Sequence, residues 1–516
     1  MQHPRPAFLS CLLASTALFA QGDYTFTKTS PGTIGKPLTL SYSGSPANKN
    51  IVLGISSTAG PTPLKMINPG DTRSLKLGLE FATAWFAKAS SGSGSFSLPV
   101  PMKNSIAGKQ LHFQSFTLPG NPFIVDKISN DAIVQFGKTS FASPIQTTRL
   151  KEARAMAHSF INPGLSSSKG DLVIVGGGSG SLLGSFNIAS STEIYNFDTM
   201  AMTTGPTMNL PRAIAFTVTL KDGRSLIIGG VDSAGNSTKT CEIYDPKSHK
   251  FTRTGSMKVA RIGHAAALLG NGEVIVAGGT TDLSDVIKAL STMQNTCEIY
   301  NPKTGAWRNG PNISSRRGLH ALTSLPNGRA LLSGGLRVNV IFGVPIPVGS
   351  VPDCEIYDPT SNKWTAAASM TSSRAVHLYS TLALPNGNVL AVGGVTSGPV
   401  VTSATPLETA ETYDYRANKW TAAPNMASKR LLASTLVLKS GKVLVVGGAV
   451  GTLQQPLGVK SVQVYNPASN SWATLPDMPT ARAGAILHQT PDNLVIIFGG
   501  QVDDKTTSNT LATLHL

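Results

Sequence analysis

Arginine recurs along this chain at a constant distance from tyrosine. Tyrosines at six positions are each followed seventeen residues later by an arginine, and Arg154 precedes the first of them. The complete set is Arg154, Arg212, Arg261, Arg317, Arg374, Arg430 and Arg482. Guanidinium groups gathered at one opening of a ring would hold an anionic or carboxylate ligand through bidentate hydrogen bonds, so all seven are candidates for ligand binding.

The same arginines have a structural alternative. A glutamate stands two residues before five of the repeated tyrosines, at Glu193, Glu242, Glu298, Glu355 and Glu411. Each glutamate would begin its strand at the end where the arginine lies, so the two side chains would pair within the fold. Because this pattern recurs along the chain, we favour structural pairing over ligand binding.

Histidine and cysteine also occupy repeat positions. The histidines His264, His320 and His377 follow their arginines by three residues in three consecutive copies. Clustered imidazoles are able to bind a metal, but alanine fills this position in the other copies, which favours a space-filling role. Three residues before the tyrosine stand Cys241, Cys297 and Cys354, which we interpret as small buried apolar residues rather than a disulfide or a thiol metal site. We therefore predict no metal or other cofactor, and we keep the histidines as candidate ligand-binding residues.

Short strands must position these residues. An apolar run ends at a glycine pair in seven copies, whose second members are Gly178, Gly230, Gly279, Gly335, Gly394, Gly448 and Gly500. A strand with the tyrosine follows, then one with a large apolar residue such as Trp364, which we expect to be buried between repeats. A further strand follows the arginine, and Asn-Gly pairs such as Asn327-Gly328 indicate tight hairpins. Four antiparallel strands in each copy predict an all-β, seven-bladed β-propeller.

These residues resemble the Kelch family. The glycine pairs, the segment Glu298-Ile299-Tyr300-Asn301-Pro302 and Trp307, with their equivalents, carry the resemblance from Arg154 to the end of the chain. It implies a Kelch-type β-propeller. Members of the family serve as protein-binding modules, as sialic-acid mutarotases and as the scaffold of copper enzymes such as galactose oxidase, so the resemblance leaves the activity open.

The residues before the repeats predict two further segments. Arg5 and the apolar run from Phe8 to Ala20 indicate a signal peptide over residues 1–20, which predicts a secreted or periplasmic protein. Residues 21–137 are rich in Ser, Gly, Pro and Thr and contain short apolar or alternating runs, which predict a small Ig-like β-sandwich. The propeller then spans residues 138–516. Its last copy lacks a strand, which we expect residues 137–148 to supply.

Loop lengths indicate where a ligand would bind. Nearly all variation in repeat length falls between the second and third strands, and variable loops on a rigid scaffold are the usual place for binding. Residues 336–352 form an apolar loop of this kind, with Phe342 near its middle. If exposed it would be a contact surface; the alternative is that it folds back onto the ring or the N-terminal domain. The opposite end of each repeat carries short turns that offer little surface.

The composition limits the partners. The net charge of +16 favours acidic partners, but the chain has no long Lys/Arg run and no nucleic-acid motif, so we predict no nucleic-acid binding. No later segment is typical of a transmembrane helix. We predict a monomeric binding scaffold that recognises a protein or glycan through the loop-rich end of the propeller, without catalysis. The alternative is a carbohydrate-active enzyme, either a galactose-oxidase-like copper oxidase or a sugar isomerase.

Overall fold

The structure is a computed structural model of the 516-residue chain. It describes residues 149–163, 170–180, 186–197, 201–452, 455–490 and 494–515, and before them only the strands between residues 25 and 142. The predicted signal peptide, residues 1–20, lies outside the described residues. The chain divides into two compact units, one of residues 1–149 with 511–516 and one of residues 150–510.

The first unit contains antiparallel strands. They are β1 (Thr25–Lys28), β2 (Leu38–Ser43), β3 (Lys49–Ser56), β4 (Ala59–Pro63), β5 (Ser74–Leu77), β6 (Thr83–Ala89), β7 (Gly94–Leu98), β8 (Gln110–Leu118), β9 (Ile128–Gln135) and β10 (Phe141–Ala142). Strands β1-β2-β7 form one sheet, β6-β3-β8-β9 a second, and β4-β5 a hairpin. The packing of these sheets as a sandwich stays a prediction.

The second unit repeats a four-stranded antiparallel sheet. Its first three copies contain β11 (His158–Asn162), β12 (Asp171–Val175), β13 (Gly178–Gly180), β14 (Phe186–Ile188), β15 (Thr192–Asn196), β16 (Met202–Thr204), β17 (Phe216–Thr219), β18 (Ser225–Ile228), β19 (Cys241–Asp245), β20 (Lys250–Arg253), β21 (Ala265–Leu268), β22 (Val274–Ala277), helix α1 (Val286–Ser291), β23 (Cys297–Asn301) and β24 (Ala306–Asn309). The sheet orders are β11-β12-β15-β16, β17-β18-β19-β20 and β21-β22-β23-β24. Each sheet is a meander that follows chain order. In the first sheet, β13 and β14 form a small hairpin between the second and third strands, β12 and β15.

The later copies follow the same order. They contain β25 (Arg316–Gly318), β26 (Ala321–Ser324), β27 (Ala330–Ser333), β28 (Leu336–Ile341), β29 (Val344–Ser350), β30 (Cys354–Asp358), β31 (Lys363–Ala367), β32 (Thr381–Ala383), β33 (Val389–Val392), β34 (Val395–Thr396), a 3-10 turn (Val401–Ser403), β35 (Thr405–Pro406), β36 (Ala410–Asp414), β37 (Lys419–Ala423), β38 (Ser434–Val437), β39 (Val443–Val446), β40 (Ala449–Gly451), β41 (Pro456–Gly458), β42 (Val462–Asn466), β43 (Ser471–Leu475), β44 (Ile486–Gln489) and β45 (Leu494–Phe498). Three further four-stranded sheets are β26-β27-β30-β31, β32-β33-β36-β37 and β38-β39-β42-β43. The all-β prediction is confirmed.

The chain ends with β46 (Leu511–His515), which lies in the first unit with β10. The two strands pair antiparallel, with Phe141 opposite Leu514 and Ala142 opposite Thr513. The prediction that residues 137–148 supply a strand to the end of the chain is confirmed.

The second strand of each repeat is its most buried element. All four residues of Val443–Val446 are buried, because both faces of the sheet pack against neighbouring repeats. The glycine pair that ends such a strand has no room for a side chain. A Cβ on Gly394, where φ is +87°, would lie 2.5 Å from the carbonyl oxygen of Ala375. The left-handed backbone and this close approach explain why glycine recurs here.

The repeated tyrosine and tryptophan form a contact within each sheet. Their ring centroids lie 5.1 Å apart in Tyr300–Trp307 and 5.2 Å apart in Tyr413–Trp420. Trp364 occupies the same repeat position. It also donates a hydrogen bond of 3.0 Å to the carbonyl of Pro311 in the preceding repeat. Trp364 is half-buried and packs against a core cluster, so the expectation that it is buried between repeats is met only in part.

Hydrogen bonds between neighbouring repeats run around the whole second unit. The second glycine of each pair donates its N–H to the carbonyl of the next arginine: Gly177 to Arg212, Gly230 to Arg261, Gly279 to Arg317, Gly335 to Arg374, Gly394 to Arg430, Gly448 to Arg482 and Gly500 to Arg154. In the first copy the donor is the glycine one residue earlier than the spacing predicts. The last bond, of 3.0 Å, joins the final repeat to the first. The repeats therefore close into a ring, and an experimental structure with six or eight blades would contradict the predicted count of seven.

Candidate binding face

Two kinds of connection emerge at the same end of the repeats. One joins the second strand to the third and varies in length; the other joins the fourth strand to the next repeat and precedes the arginine. We call this end the loop face. In the third repeat it includes residues 278–296, whereas Asn271 and Gly272 turn at the other end of β22. The loop face is where the sequence predicted ligand binding.

The seven arginines lie beneath the loop face, each inside its own repeat. All are between 0 and 2% exposed. Arg374 is representative: its guanidinium donates to the carboxylate of Glu411 at 2.9 Å, to the hydroxyl of Thr409 at 2.9 Å and to the carbonyls of Gly393 and Thr409. Equivalent ion pairs join Arg154 to Glu193, Arg212 to Glu242, Arg261 to Glu298 and Arg317 to Glu355.

The glutamates also hold the backbone that precedes the arginine. The carboxylate of Glu298 accepts hydrogen bonds from the N–H groups of Lys258 and Val259 at 2.6 and 3.2 Å. Each pair thus joins the loop before the first strand to the start of the third strand. This arrangement supports the structural alternative for the arginines, and their role as ligand-binding residues stays a prediction without support from the geometry.

An apolar cluster covers the centre of the loop face, and sequence analysis missed it. Residues two positions after the arginines have left-handed backbone, with φ of +52° at Met156, +55° at Leu319, +56° at Val376 and +52° at Leu432. Their side chains pack into or against one cluster that draws on six or more repeats. The signal in the sequence is a position that is apolar or glycine in every copy. Apolar side chains therefore lie at the centre of this face, while ligand binding by the arginines stays a prediction.

The three histidines are buried completely, at 0–2% exposed. Each packs against the glycine pair of the preceding repeat, where a Cβ added to Gly278 would lie 2.8 Å from Cε1 of His320. Burial lowers the pKa of His264 and His377 to about 3, and that of His320 well below its usual value. Neutral imidazoles sealed between repeats do not face a ligand, so the space-filling alternative is favoured for all three.

We expect a pH dependence from His377. An ordinary histidine pKa of about 6.5 in the unfolded chain and a lowered one in the fold give stability that is complete above pH 6.5 and lost as the pH falls towards the folded-state pKa. Lowering the pH from 7.5 to 5.5 should therefore reduce the free energy of unfolding by about 1.4 kcal/mol through this histidine. Denaturant unfolding at both pH values should show a smaller loss in His377→Ala, which copies the alanine found at this position in other repeats. An identical loss in both proteins would contradict the assignment.

The cysteines behave as predicted from their positions. Cys241, Cys297 and Cys354 are free and buried. Burial raises the pKa of each thiol to about 12, so none is a thiolate at neutral pH. In the part of the chain that the structure describes, no group of three or more His, Cys, Asp or Glu side chains is placed to hold a metal ion.

The apolar loop of the fourth repeat is a long β-hairpin. Strands β28 and β29 pair through Ile341 and Val344 at the tip, and the turn between them is Phe342-Gly343. Leu336 and Val338 at the base are buried in the central cluster, whereas Phe342 at the tip is 102% exposed. Phe342 also has a φ of +50°, a conformation that costs an L-residue free energy and that Asn or Gly adopts more readily. The base of the hairpin folds back onto the ring, which was one of the two alternatives predicted for this loop. The tip is exposed to solvent, which was the other alternative.

Exposed apolar side chains concentrate on this face. Among the described residues, the exposed large apolar side chains are Ile287, Val340, Ile341, Phe342, Val344, Ile346, Val400 and Leu457. Every one of them lies in a connection between a second and a third strand, in repeats three to six. Soluble proteins rarely expose such a group of residues without a use for it. We call the opposite end of the repeats, where Asn271 and Gly272 lie, the turn face. The loop face thus differs from the turn face in its exposed side chains as well as in the length of its loops.

Comparison with known proteins agrees with the repeat geometry. The pattern of the Kelch motif matches residues 215–258, 261–314, 378–427 and 433–479. These segments are Kelch repeats. Kelch-like protein 25 of Xenopus tropicalis is 27% identical over 289 residues, which cover 56% of this chain and 45% of that protein. Galactose oxidase of Gibberella zeae is 24% identical over 325 residues, which cover 57% of this chain and 43% of that protein. The chain thus spans less than half the length of these two relatives.

A solved structure has a similar fold. The chain is similar to a fungal alcohol oxidase of the AA5 family in complex with copper, with a TM-score of 0.53 and 16% identity over 71% of this chain and 75% of the other. Identity this low shows the fold alone. Within the described residues, no helix has the length and apolar character needed to cross a membrane.

Proposed function

We propose that this chain is a secreted Kelch-repeat binding protein that recognises a protein ligand through its loop face, without catalysis. One observation carries the proposal: among the described residues, the exposed large apolar side chains all lie in the connections of that face. The hairpin of β28 and β29 is the centre of this surface. An aromatic ring held in solvent at the tip of a hairpin is the kind of residue that dominates the energy of protein interfaces.

The charge of the hairpin favours a protein over an anionic glycan as the ligand. The chain has a net charge of +16, yet residues 338–352 contain no Lys, Arg, Asp or Glu. An anionic glycan would need cations at the contact, and the arginines beneath the face are already bonded within their repeats. An uncharged apolar surface instead fits an apolar patch on a protein.

The shape of the hairpin supports contact through side chains. Pro345 and Pro347 lie opposite Val340 and Val338, and a proline has no N–H to offer to an added strand. The outer edge of β29 is therefore a poor template for extending a sheet. The partner would receive Phe342 and its neighbours in a pocket or groove.

Photo-crosslinking tests this proposal. A photoreactive phenylalanine analogue at position 342 should give a protein adduct in the native extracellular fluid, and the same analogue at Asn271 on the turn face should not. Adducts are identified by mass spectrometry, and the partner is purified for binding measurements. Crosslinking from Asn271 alone would place the site on the other face.

We expect Phe342→Ser to weaken binding of the purified partner about 30-fold, the effect of losing about 2 kcal/mol at an interface anchor. Because Phe342 is fully exposed, its removal should leave the unfolding midpoint unchanged. Affinity measured by calorimetry and stability measured by denaturant unfolding separate the two effects. Equal affinity for both proteins would remove Phe342 from the interface.

The similarity to galactose oxidase keeps an enzymatic alternative open. A copper oxidase or a sugar isomerase would use the same scaffold with different residues. Purified chain loaded with Cu²⁺ and supplied with galactose or primary alcohols should give no hydrogen peroxide if the binding proposal holds. Peroxide release that depends on both copper and substrate would favour the enzyme.

A further inference from the structure

Two of the seven repeats have lost the carboxylate that pairs with their arginine. Five arginines donate to a glutamate at 2.8–3.3 Å. Arg430 instead meets the amide oxygen of Gln463 at 3.1 Å. Arg482 donates to neutral oxygens only, those of Gly499, Ser508 and Thr510. Among the described residues no carboxylate lies within ion-pair distance of Arg430 or Arg482.

Sequence register explains the loss at Arg482. Arg212, Arg261 and Arg374 each donate to a threonine that stands two residues before the glutamate, as Thr296 stands before Glu298 and Thr409 before Glu411. Arg482 donates to Thr510 in the same way, at 2.9 Å to its carbonyl. The residue two positions later is Ala512, whose methyl group has no acceptor to offer.

Arg482 nevertheless keeps its charge. The side chain is 2% exposed, and burial lowers the pKa of its guanidinium to about 10, which still leaves it protonated at neutral pH. A buried charge without a counter-charge is costly. Its Nε has no partner, as in five of the other repeats. The difference lies at Nη2, which donates only to Thr510, whereas Nη2 of Arg374 also donates to Glu411. The glutamates of other repeats further accept backbone N–H groups before the arginine; here Pro479 lacks one, and Thr480 supplies the remaining donor.

We propose that a small anion, of the size of chloride or formate, binds beside the buried guanidinium of Arg482 and supplies the counter-charge that a glutamate supplies to five of the other arginines. The buried guanidinium and the N–H of Thr480 would hold it, and burial would exclude larger anions. The site is specific to the last repeat, because in the sixth repeat the amide of Gln463 fills the equivalent place. Arg482 also accepts the hydrogen bond from Gly448, so the anion would stabilise the part of the ring next to its closure. This inference does not depend on the proposed function.

Thermal unfolding at constant ionic strength tests the site. Gluconate, which is too large for a buried site, is replaced stepwise by formate in one series and by chloride in another. The wild-type midpoint should rise by a few degrees and saturate. Arg482→Gln removes the charge that would hold the anion, so its midpoint should respond to neither anion. A wild-type midpoint that does not change, or a parallel rise in wild type and variant, would overturn the proposal.

A second variant keeps the test decisive if Arg482→Gln does not fold. Glu411→Ala makes the fifth repeat resemble the last one, because Arg374 keeps its bonds to Thr409. That variant should unfold earlier in gluconate and show a larger formate-dependent rise than wild type. An undiminished response in Arg482→Gln would place the anion elsewhere and contradict the site.

Discussion

Arg374→Ala should lower the free energy of unfolding by about 3–5 kcal/mol, the cost of removing one partner from a buried ion pair. The guanidinium is 0% exposed and Glu411 is 1% exposed, so the substitution leaves a carboxylate in the interior without its counter-charge. It also removes hydrogen bonds to Gly393 and Thr409 that join the second strand to the third. Denaturant unfolding followed by intrinsic fluorescence gives the midpoint.

The control for this variant is Lys419→Ala in the same repeat, at an exposed position of β37. It should change stability by less than about 0.5 kcal/mol. If Arg374→Ala unfolds at the wild-type midpoint, the arginine is not part of the interior network, and the ligand-binding role predicted from its spacing would regain support.

Trp420→Ala should also cost about 3–5 kcal/mol, because a large aromatic side chain leaves a cavity in a packed core. Trp420 is 5% exposed and belongs to a cluster that joins the fourth and fifth repeats, with Leu331, Met370 and Tyr413. Trp364 occupies the same repeat position one copy earlier but is half-buried, so Trp364→Ala should cost less. The two variants, measured by the same unfolding assay, compare burial at one position of the repeat. An equal or larger loss at Trp364 would contradict the packing described for these repeats.

The constant spacing made the fold predictable. A tyrosine, an apolar residue seven positions on and an arginine seventeen positions on define the strand order, because each separation is a fixed number of strand and turn residues. Tyr413 and Trp420 contact each other as that spacing requires, and the glycine pairs end their strands. The segments before Arg154 carry no such repeat, so no constant spacing predicts where their strands begin and end.

Depth within the ring was not predictable from spacing. The arginines lie at the predicted end of their repeats, but the spacing does not tell whether they face a ligand or the interior. Left-handed apolar residues such as Leu319 and Val376 pack in or against the central cluster, and a residue's backbone angle is not visible in its type. Whether the hairpin tip is exposed could not be predicted either, because an apolar run such as Val338 to Val348 is compatible with both a core strand and a contact surface.

The most direct test of the account is the affinity of the crosslinked partner for two variants with opposite expectations. The first carries Ile341→Ser, Phe342→Ser and Val344→Ser in the hairpin tip, and the second carries Asn271→Trp, which adds bulk to the turn face. Circular dichroism and unfolding midpoints establish that both are folded. We predict that the hairpin variant loses most of its affinity and that the turn variant binds like wild type. Normal binding by the hairpin variant together with loss of binding by Asn271→Trp would contradict recognition through the loop face.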